Sequence, residues 1–235
     1  MHLESVTLGS TSKKFSRKVW YLPSEAKCRR IAIFLDGEYY LDQLDAPAVI
    51  TELQQEGVIP PMACLFVSNL DPEARHHDYT CSDPYADYIA KDLLPWIQRK
   101  AGIGAVGDHL IAGLSLSGLQ AAYTALSYPH IFARTLSQSG SFWWENEWLA
   151  KHLNEFPTSQ GKYWLSVGTK EQGSGSCHAP TDLLQEVDQD VAIRHFGEEL
   201  KRRESQVHSH VYEGGHDPKH WKAELPDALR WLLGK

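Results

Sequence analysis

The segment Ile111-Ala112-Gly113-Leu114-Ser115-Leu116-Ser117-Gly118 places a serine where an apolar run gives way to a helix-forming stretch. A serine on a tight strand-to-helix turn exposes its hydroxyl, and the residues two before and two after it must be small for the turn to close. Gly113 and Ser117 meet that need. Centring the turn on Ser117 would instead set Ser115 and the bulky Leu119 at the flanks, so Ser115 is the candidate nucleophile. A serine hydroxyl is a weak nucleophile at neutral pH and needs a base. Of twelve histidines, His216 stands in Glu213-Gly214-Gly215-His216-Asp217-Pro218, a loop whose glycines let an imidazole approach the turn. A carboxylate between the two in chain order completes the arrangement Ser, acid, His. Glu171 follows the strand end Gly168-Thr169-Lys170 directly and is favoured, with Asp182 and Asp188 as rivals further along. The backbone N–H groups of Leu116 and Glu38 are the expected oxyanion donors, the latter from the loop Asp36-Gly37-Glu38.

Other clusters carry less. Ser137-Gln138-Ser139-Gly140-Ser141 also follows a strand, but it lacks a glycine two residues before Ser139 and reads as a pocket wall. His208 and His210 alternate on a strand, His216 and His220 are four apart, and His76-His77-Asp78 is a third group. None has the spacing of a zinc site, and alternating histidines on a strand usually face solvent. No metal and no cofactor is expected.

These groups need a scaffold that gathers them at one edge. Strand-length apolar runs occur at Leu3–Leu8, Lys18–Leu22, Arg30–Leu35, Ala63–Val67, Leu110–Leu114, Ala133–Leu136, Tyr163–Val167 and Val207–Tyr212. Helical stretches alternate with them at Ala48–Gln55, from Ser82 to Lys100, Leu119–Leu126, Trp144–Leu153, Ala192–Arg203 and Pro218–Leu233. Such alternation predicts a mostly parallel sheet of about eight strands with helices on both faces. In that fold, sites collect beyond the carboxyl ends of the strands. No repeat or low-complexity segment interrupts residues 1–235, so one domain is expected.

Composition excludes several classes. The 235 residues are 42% hydrophobic and 23% charged, an ordinary globular balance. A net charge of −7, with only short basic runs such as Lys201-Arg202-Arg203, gives no footprint for nucleic acid or an anionic membrane. No apolar run approaches the roughly 18 residues that span a bilayer. The start, Met1-His2-Leu3-Glu4-Ser5-Val6, lacks the basic-then-apolar order of a signal peptide. Cys28, Cys64, Cys81 and Cys177 are widely spaced, which favours free thiols and a cytoplasmic protein. Aromatic residues reach 11%, with eight tryptophans; Trp96, Trp164 and Trp231 fall in core patterns.

The chain resembles the esterase D-like group of α/β-hydrolases, and within it the catalytic domain of enterochelin esterases. Phe34-Leu35-Asp36-Gly37-Glu38, Arg75 with Asp78-Tyr79, Ile111–Gly118, Leu136-Ser137-Gln138-Ser139-Gly140-Ser141-Phe142-Trp143-Trp144 and Gly214-Gly215-His216-Asp217 carry the likeness, in that order. Ser117 stands where the family usually has glycine. The resemblance implies an α/β-hydrolase fold and a serine hydrolase with Ser115 as nucleophile and His216 as base. Gly168-Thr169-Lys170-Glu171 is also similar to the acid-bearing segment of the related mycolyltransferases. The substrate it implies is a small-molecule ester, siderophore-like or otherwise aromatic, with Arg75, Trp143 and Trp144 as substrate contacts. Sugar-linked acetyl or feruloyl ester cleavage and acyl transfer are alternatives at the same site. A non-catalytic phenolic-ligand binder is the alternative of another class.

Overall fold

The computed structural model describes residues 3–104, 107–158 and 160–234. Met1 and His2, where the leader-peptide reading begins, lie outside them. Ten strands are present: β1 (Glu4–Gly9), β2 (Ser16–Leu22), β3 (Arg30–Phe34), β4 (Met62–Val67), β5 (His109–Leu114), β6 (Phe132–Gln138), β7 (Lys162–Gly168), β8 (Ser176–His178), β9 (Leu183–Gln185) and β10 (Gln206–Tyr212). Eight of them form one sheet in the order β1-β2-β4-β3-β5-β6-β7-β10, while β8 and β9 pair as a separate hairpin. The β1–β2 and β2–β4 pairings are antiparallel and the rest of the large sheet is parallel. This is the α/β-hydrolase architecture expected from the alternation of runs.

Period-two alternation divides the core. Ile31, Ile33 and Leu35 face one side with Leu65 and Val67, packing with Leu119, Ala122 and Phe196 from the helices α6 (Leu116–Ser127) and α8 (Gln189–Arg202). Ala32 and Phe34 face the other, with Ile50 and Leu53 of α2 (Ala46–Gln55) and Leu225, Leu229 and Leu232 of α9 (Pro218–Leu233). Burial on both faces is why the central strands read as continuous apolar runs.

Several details differ from expectation. The stretch 82–100 is α4 (Asp83–Tyr88) and α5 (Leu94–Ala101), joined by a π-helical turn at Ile89–Leu93. The widened turn comes immediately before Pro95, which has no N–H for a helical bond. Short helices α1 (Gly37–Asp42) and α3 (Pro72–Asp78) and the β8–β9 hairpin lack the periodicity that would announce them. Helix α7 (Trp144–Lys151) is interrupted by left-handed residues at Glu145, Asn146 and Glu147. His208 and His210 do not simply face solvent. His208 stacks on Trp164 at 4.1 Å, and His210 lies 5.5 Å from the same indole. Trp164 is buried, and Trp96 and Trp231 pack partly buried against the core. The four cysteines are free thiols. Among the described residues no helix is long and apolar enough to cross a membrane.

Candidate active site

Ser115 occupies the turn between β5 and α6 at φ 55°, ψ −126°. A left-handed φ is costly for any residue with a Cβ and persists only where its surroundings enforce it. Here they do. The Ser115 N–H donates to the Gln138 carbonyl at 2.8 Å, and its own carbonyl accepts from Gly118, Leu119 and Ser141. A Cβ on Gly113 would overlap the Ser117 carbonyl, and one on Gly118 would come within 2.7 Å of Ser137 Oγ. Ser117, the departure from the usual glycine, is fully buried. Its hydroxyl accepts from the Leu114 N–H and donates to the Leu114 carbonyl, both at 2.8 Å, tying the turn to the strand end.

His216 lies on the loop between β10 and α9, and Glu171 just past the end of β7. His216 Nδ1 is 2.7 Å from Glu171 Oε2. The other oxygen, Oε1, accepts from the Gly168 N–H at 2.7 Å, from Ser139 Oγ at 2.8 Å and from the Tyr212 hydroxyl. Burial opposes ionisation of this carboxyl, but hydrogen bonds from His216, Tyr212 and Ser139 outweigh it and hold it below the usual carboxylate range. Burial, and after it the bond to Glu171, push the Tyr212 phenol upward. Gln189, at the start of α8, fixes the assembly from the side. Its Oε1 accepts from Trp143 Nε1 at 2.6 Å, which sets the amide orientation. Both hydrogens of its Nε2 are thereby aimed at the Ser139 carbonyl and Glu171 Oε2, at 2.6 and 2.8 Å. Its 3.3 Å approach to His216 Nδ1 is then a contact between two donors rather than a bond. The nitrogen facing Glu171 carries the ring proton, and Nε2 remains an acceptor.

Ser115, Glu171 and His216 line one cleft of about 530 Å³. Ser115 Oγ lies 3.5 Å from Ser141 Oγ, and no hydrogen bond joins it to His216. Long contacts of this kind are common before substrate closes a site. Among the described residues the Leu116 N–H, in the first turn of α6, has no protein partner. The Glu38 N–H, in the first turn of α1, is likewise free, whereas that of Tyr39 donates to the Asp36 carbonyl. Both expected oxyanion donors are thus available at helix N-termini, where unsatisfied N–H groups collect. The rivals to Glu171 are placed elsewhere. Asp188 Oδ1 accepts from the N–H groups of Gly173 and Ser174, both at 3.0 Å, and Asp182 sits in the β8–β9 turn.

The expected substrate contacts divide. Arg75 lines the cleft, but its guanidinium is already engaged by Asp36: Nε is 2.9 Å from Oδ1 and Nη2 is 2.7 Å from Oδ2. Asp36 is fully buried and also accepts from Asn69 Nδ2 at 2.9 Å. Among the described residues, Arg75 Nη1 has no protein partner. Trp143 lines the cleft; Trp144 does not, and packs edge-on against Trp148 at 6.0 Å. Successive residues entering a helix point about 100° apart, so one of a tryptophan pair is turned away from the site. Ser141 lines the cleft as expected of a wall, while Ser139 lies behind it in the carboxylate network. His76 and Asp78 make no cluster with a metal's geometry: His76 Nδ1 meets Thr181 Oγ1 at 2.6 Å and Asp78 pairs with Arg17. Among the described residues no group of three or more potential ligands is gathered. Gln189, Tyr212, Trp221 and His178 are additional site residues that carry no sequence motif.

Comparisons with known proteins place the chain in a family and a fold. A family profile described as "Putative esterase" matches residues 14–232. The iron(III) enterobactin esterase of Dickeya dadantii is 30% identical over 227 residues, covering 92% of this chain and 52% of that protein. The crystal structure of the enterobactin esterase of Shigella flexneri in the presence of enterobactin superposes with a TM-score of 0.85 at 25% identity, covering 99% of this chain and 58% of that one. The chain therefore spans about half the length of these relatives. The BES protein of Bacillus cereus shares the fold over nearly its whole length, with a TM-score of 0.79 at 17% identity and coverage of 100% and 97%.

Proposed function

The chain belongs to the esterase family whose profile covers residues 14–232, and from that premise we propose that it hydrolyses carboxylic esters through Ser115. The observation that carries this reading is the Glu171–His216 hydrogen bond, formed in the same cleft as a serine held at a left-handed turn. In the proposed reaction Ser115 Oγ attacks the ester carbonyl while His216 Nε2 takes its proton. The Glu171 carboxylate stabilises the imidazolium formed. Negative charge on the carbonyl oxygen is met by the Leu116 and Glu38 N–H groups, which need no reorganisation. Collapse expels the alcohol, protonated by His216, and water then releases the acid by the same steps in reverse.

The proposed substrate is a small ester with an aromatic acyl group of the siderophore kind. Support comes from the relatives named as iron(III) enterobactin esterases and from a cleft walled by Trp143 and Trp221. The test is turnover of p-nitrophenyl and catecholate esters, with fluorophosphonate labelling, by the wild type and Ser115→Ala. The variant is expected to lose both turnover and label while keeping its melting temperature. A wild-type protein that neither labels nor cleaves any ester refutes the reading.

A further inference from the structure

Trp143 is only 3% exposed, and its indole N–H is fixed on Gln189. The ring that overlies it is His178, offset-stacked with centroids 5.0 Å apart and planes 15° from parallel. His178 ends β8 and lines the cleft with Gln185 of β9 and with His76. The hairpin that carries it is held from three directions. His178 Nε2 meets Gln185 Oε1 at 3.1 Å, the Gln185 amide donates to the Val187 carbonyl at 3.2 Å, and His76 Nδ1 meets Thr181 Oγ1 at 2.6 Å. Among the described residues neither second ring nitrogen, His178 Nδ1 or His76 Nε2, has a protein partner; the His178 residue is partly exposed and His76 is 7% exposed.

We propose that His178, rather than either tryptophan of the Trp143-Trp144 pair, is the specificity-determining surface against which the cleft holds a planar aryl group. The inference deepens the esterase reading by assigning a subsite within the same cleft. A flat imidazole backed by an indole is a rigid, polarisable face, suited to a second ring in offset-stacked contact. An aliphatic group of the same size gains burial there but not the stacking. The open nitrogen of His76 lies on the same wall and offers a hydrogen bond to a polar ring substituent. Tyr39, 39% exposed, also lines the cleft with Arg75 and offers a competing aromatic face.

Binding of benzoate and of cyclohexanecarboxylate to the intact chain, measured by calorimetry, tests the subsite without any need for turnover. The two acids share charge and approximate size and differ in aromaticity. The wild type is expected to prefer benzoate, His178→Ala to lower that preference about fivefold, and His178→Phe to restore it. A hairpin that merely lost its structure would weaken both acids alike. An unchanged preference in His178→Ala, a preference lost instead in Tyr39→Ala, or no benzoate binding to the wild type overturns the proposal. Failure of the esterase reading shows separately, as a wild-type protein without label or ester turnover.

Discussion

Glu171 and His216 meet at 2.7 Å across the boundary between core and solvent: the carboxylate side chain is 1% exposed and the imidazole 41% exposed. The carboxylate is thus fixed by the folded core, and the imidazole projects from it into the cleft. Everything that holds the carboxylate's Oε1 comes from strands adjacent in the sheet, while Gln189 of α8 and His216 hold Oε2. Gly168 ends β7, Ser139 follows β6, and Tyr212 ends β10. Three neighbouring parallel strands ending at one edge deliver their donors to one oxygen.

Replacing Glu171 by Gln puts an amide group where five donors converge. If the amide nitrogen takes the Oε2 position it faces His216 Nδ1–H and Gln189 Nε2, and the imidazole is driven to the wrong tautomer. Ester kcat/KM is expected to fall at least about a hundredfold with substrate binding little changed. Steady-state kinetics on p-nitrophenyl acetate measure this. Near-wild-type turnover would show that His216 works without the carboxylate.

The Arg75–Asp36 pair makes a different prediction from the one a substrate clamp alone would make. Arg75→Ala leaves a buried carboxylate with Asn69 as its remaining side-chain partner. Breaking a buried pair on one side costs about 3–5 kcal/mol, whereas replacing both partners can be nearly neutral. Urea unfolding should therefore show a large loss for Arg75→Ala and substantial recovery in Arg75→Met combined with Asp36→Asn. Equal stabilities of the single and double variants would contradict this account.

At the turn, Ser117→Gly puts in the residue that the resemblance expects but removes a fully buried hydroxyl that bonds both the N–H and the carbonyl of Leu114. We expect a folded, active protein destabilised by about 1–2 kcal/mol. Gly113→Ala, whose Cβ would overlap the Ser117 carbonyl, should yield little soluble protein. Thermal melts and soluble yields separate the two effects.

Glu224 supplies a pH test. It is buried beneath the site, and its Oε1 accepts from Gln138 Nε2 at 2.8 Å and Ser166 Oγ at 2.6 Å. Burial pushes its carboxyl up to about 7. The folded chain then holds a proton that the unfolded chain has released, so stability falls as pH rises from the unfolded value near 4.5 to about 7. The cost above that range is about 3 kcal/mol. Glu224→Gln keeps an acceptor for both donors and cannot ionise. Its melting temperature should exceed the wild type's at pH 8.5 and approach it at pH 5; a difference independent of pH would exclude this origin.

What the sequence discloses follows from how local each cause is. The central strands of the main sheet are legible because burial on both faces writes itself into consecutive residues, whereas the edge strands β1 and β10, with no buried residue, show only in their alternation of residue types. Ser115 is legible because a strained turn demands small neighbours, and His216 because two glycines and a proline mark its loop. Glu171 is found by its position after a strand end, but four of its five donors, Ser139, Gln189, Tyr212 and His216, are distant from it in sequence. Asp36 gives no sign that it will occupy Arg75, since the two are joined only in three dimensions. Trp143 and Trp144 are equivalent on paper, and the direction of the helix start separates them. The β8–β9 hairpin has three-residue strands, too short for any alternation to show.

Asp188 receives the N–H groups of both Gly173 and Ser174, so the chain that leaves Glu171 is pinned to the point where α8 begins. The intervening stretch, with the hairpin and His178, is thereby a cassette closed at its base. Its sequence can drift, shorten or be grafted from a relative while the acid beneath keeps its place. On the proposed reading, a scaffold built this way changes what it accepts through one segment, while the residues beneath it stay where they are.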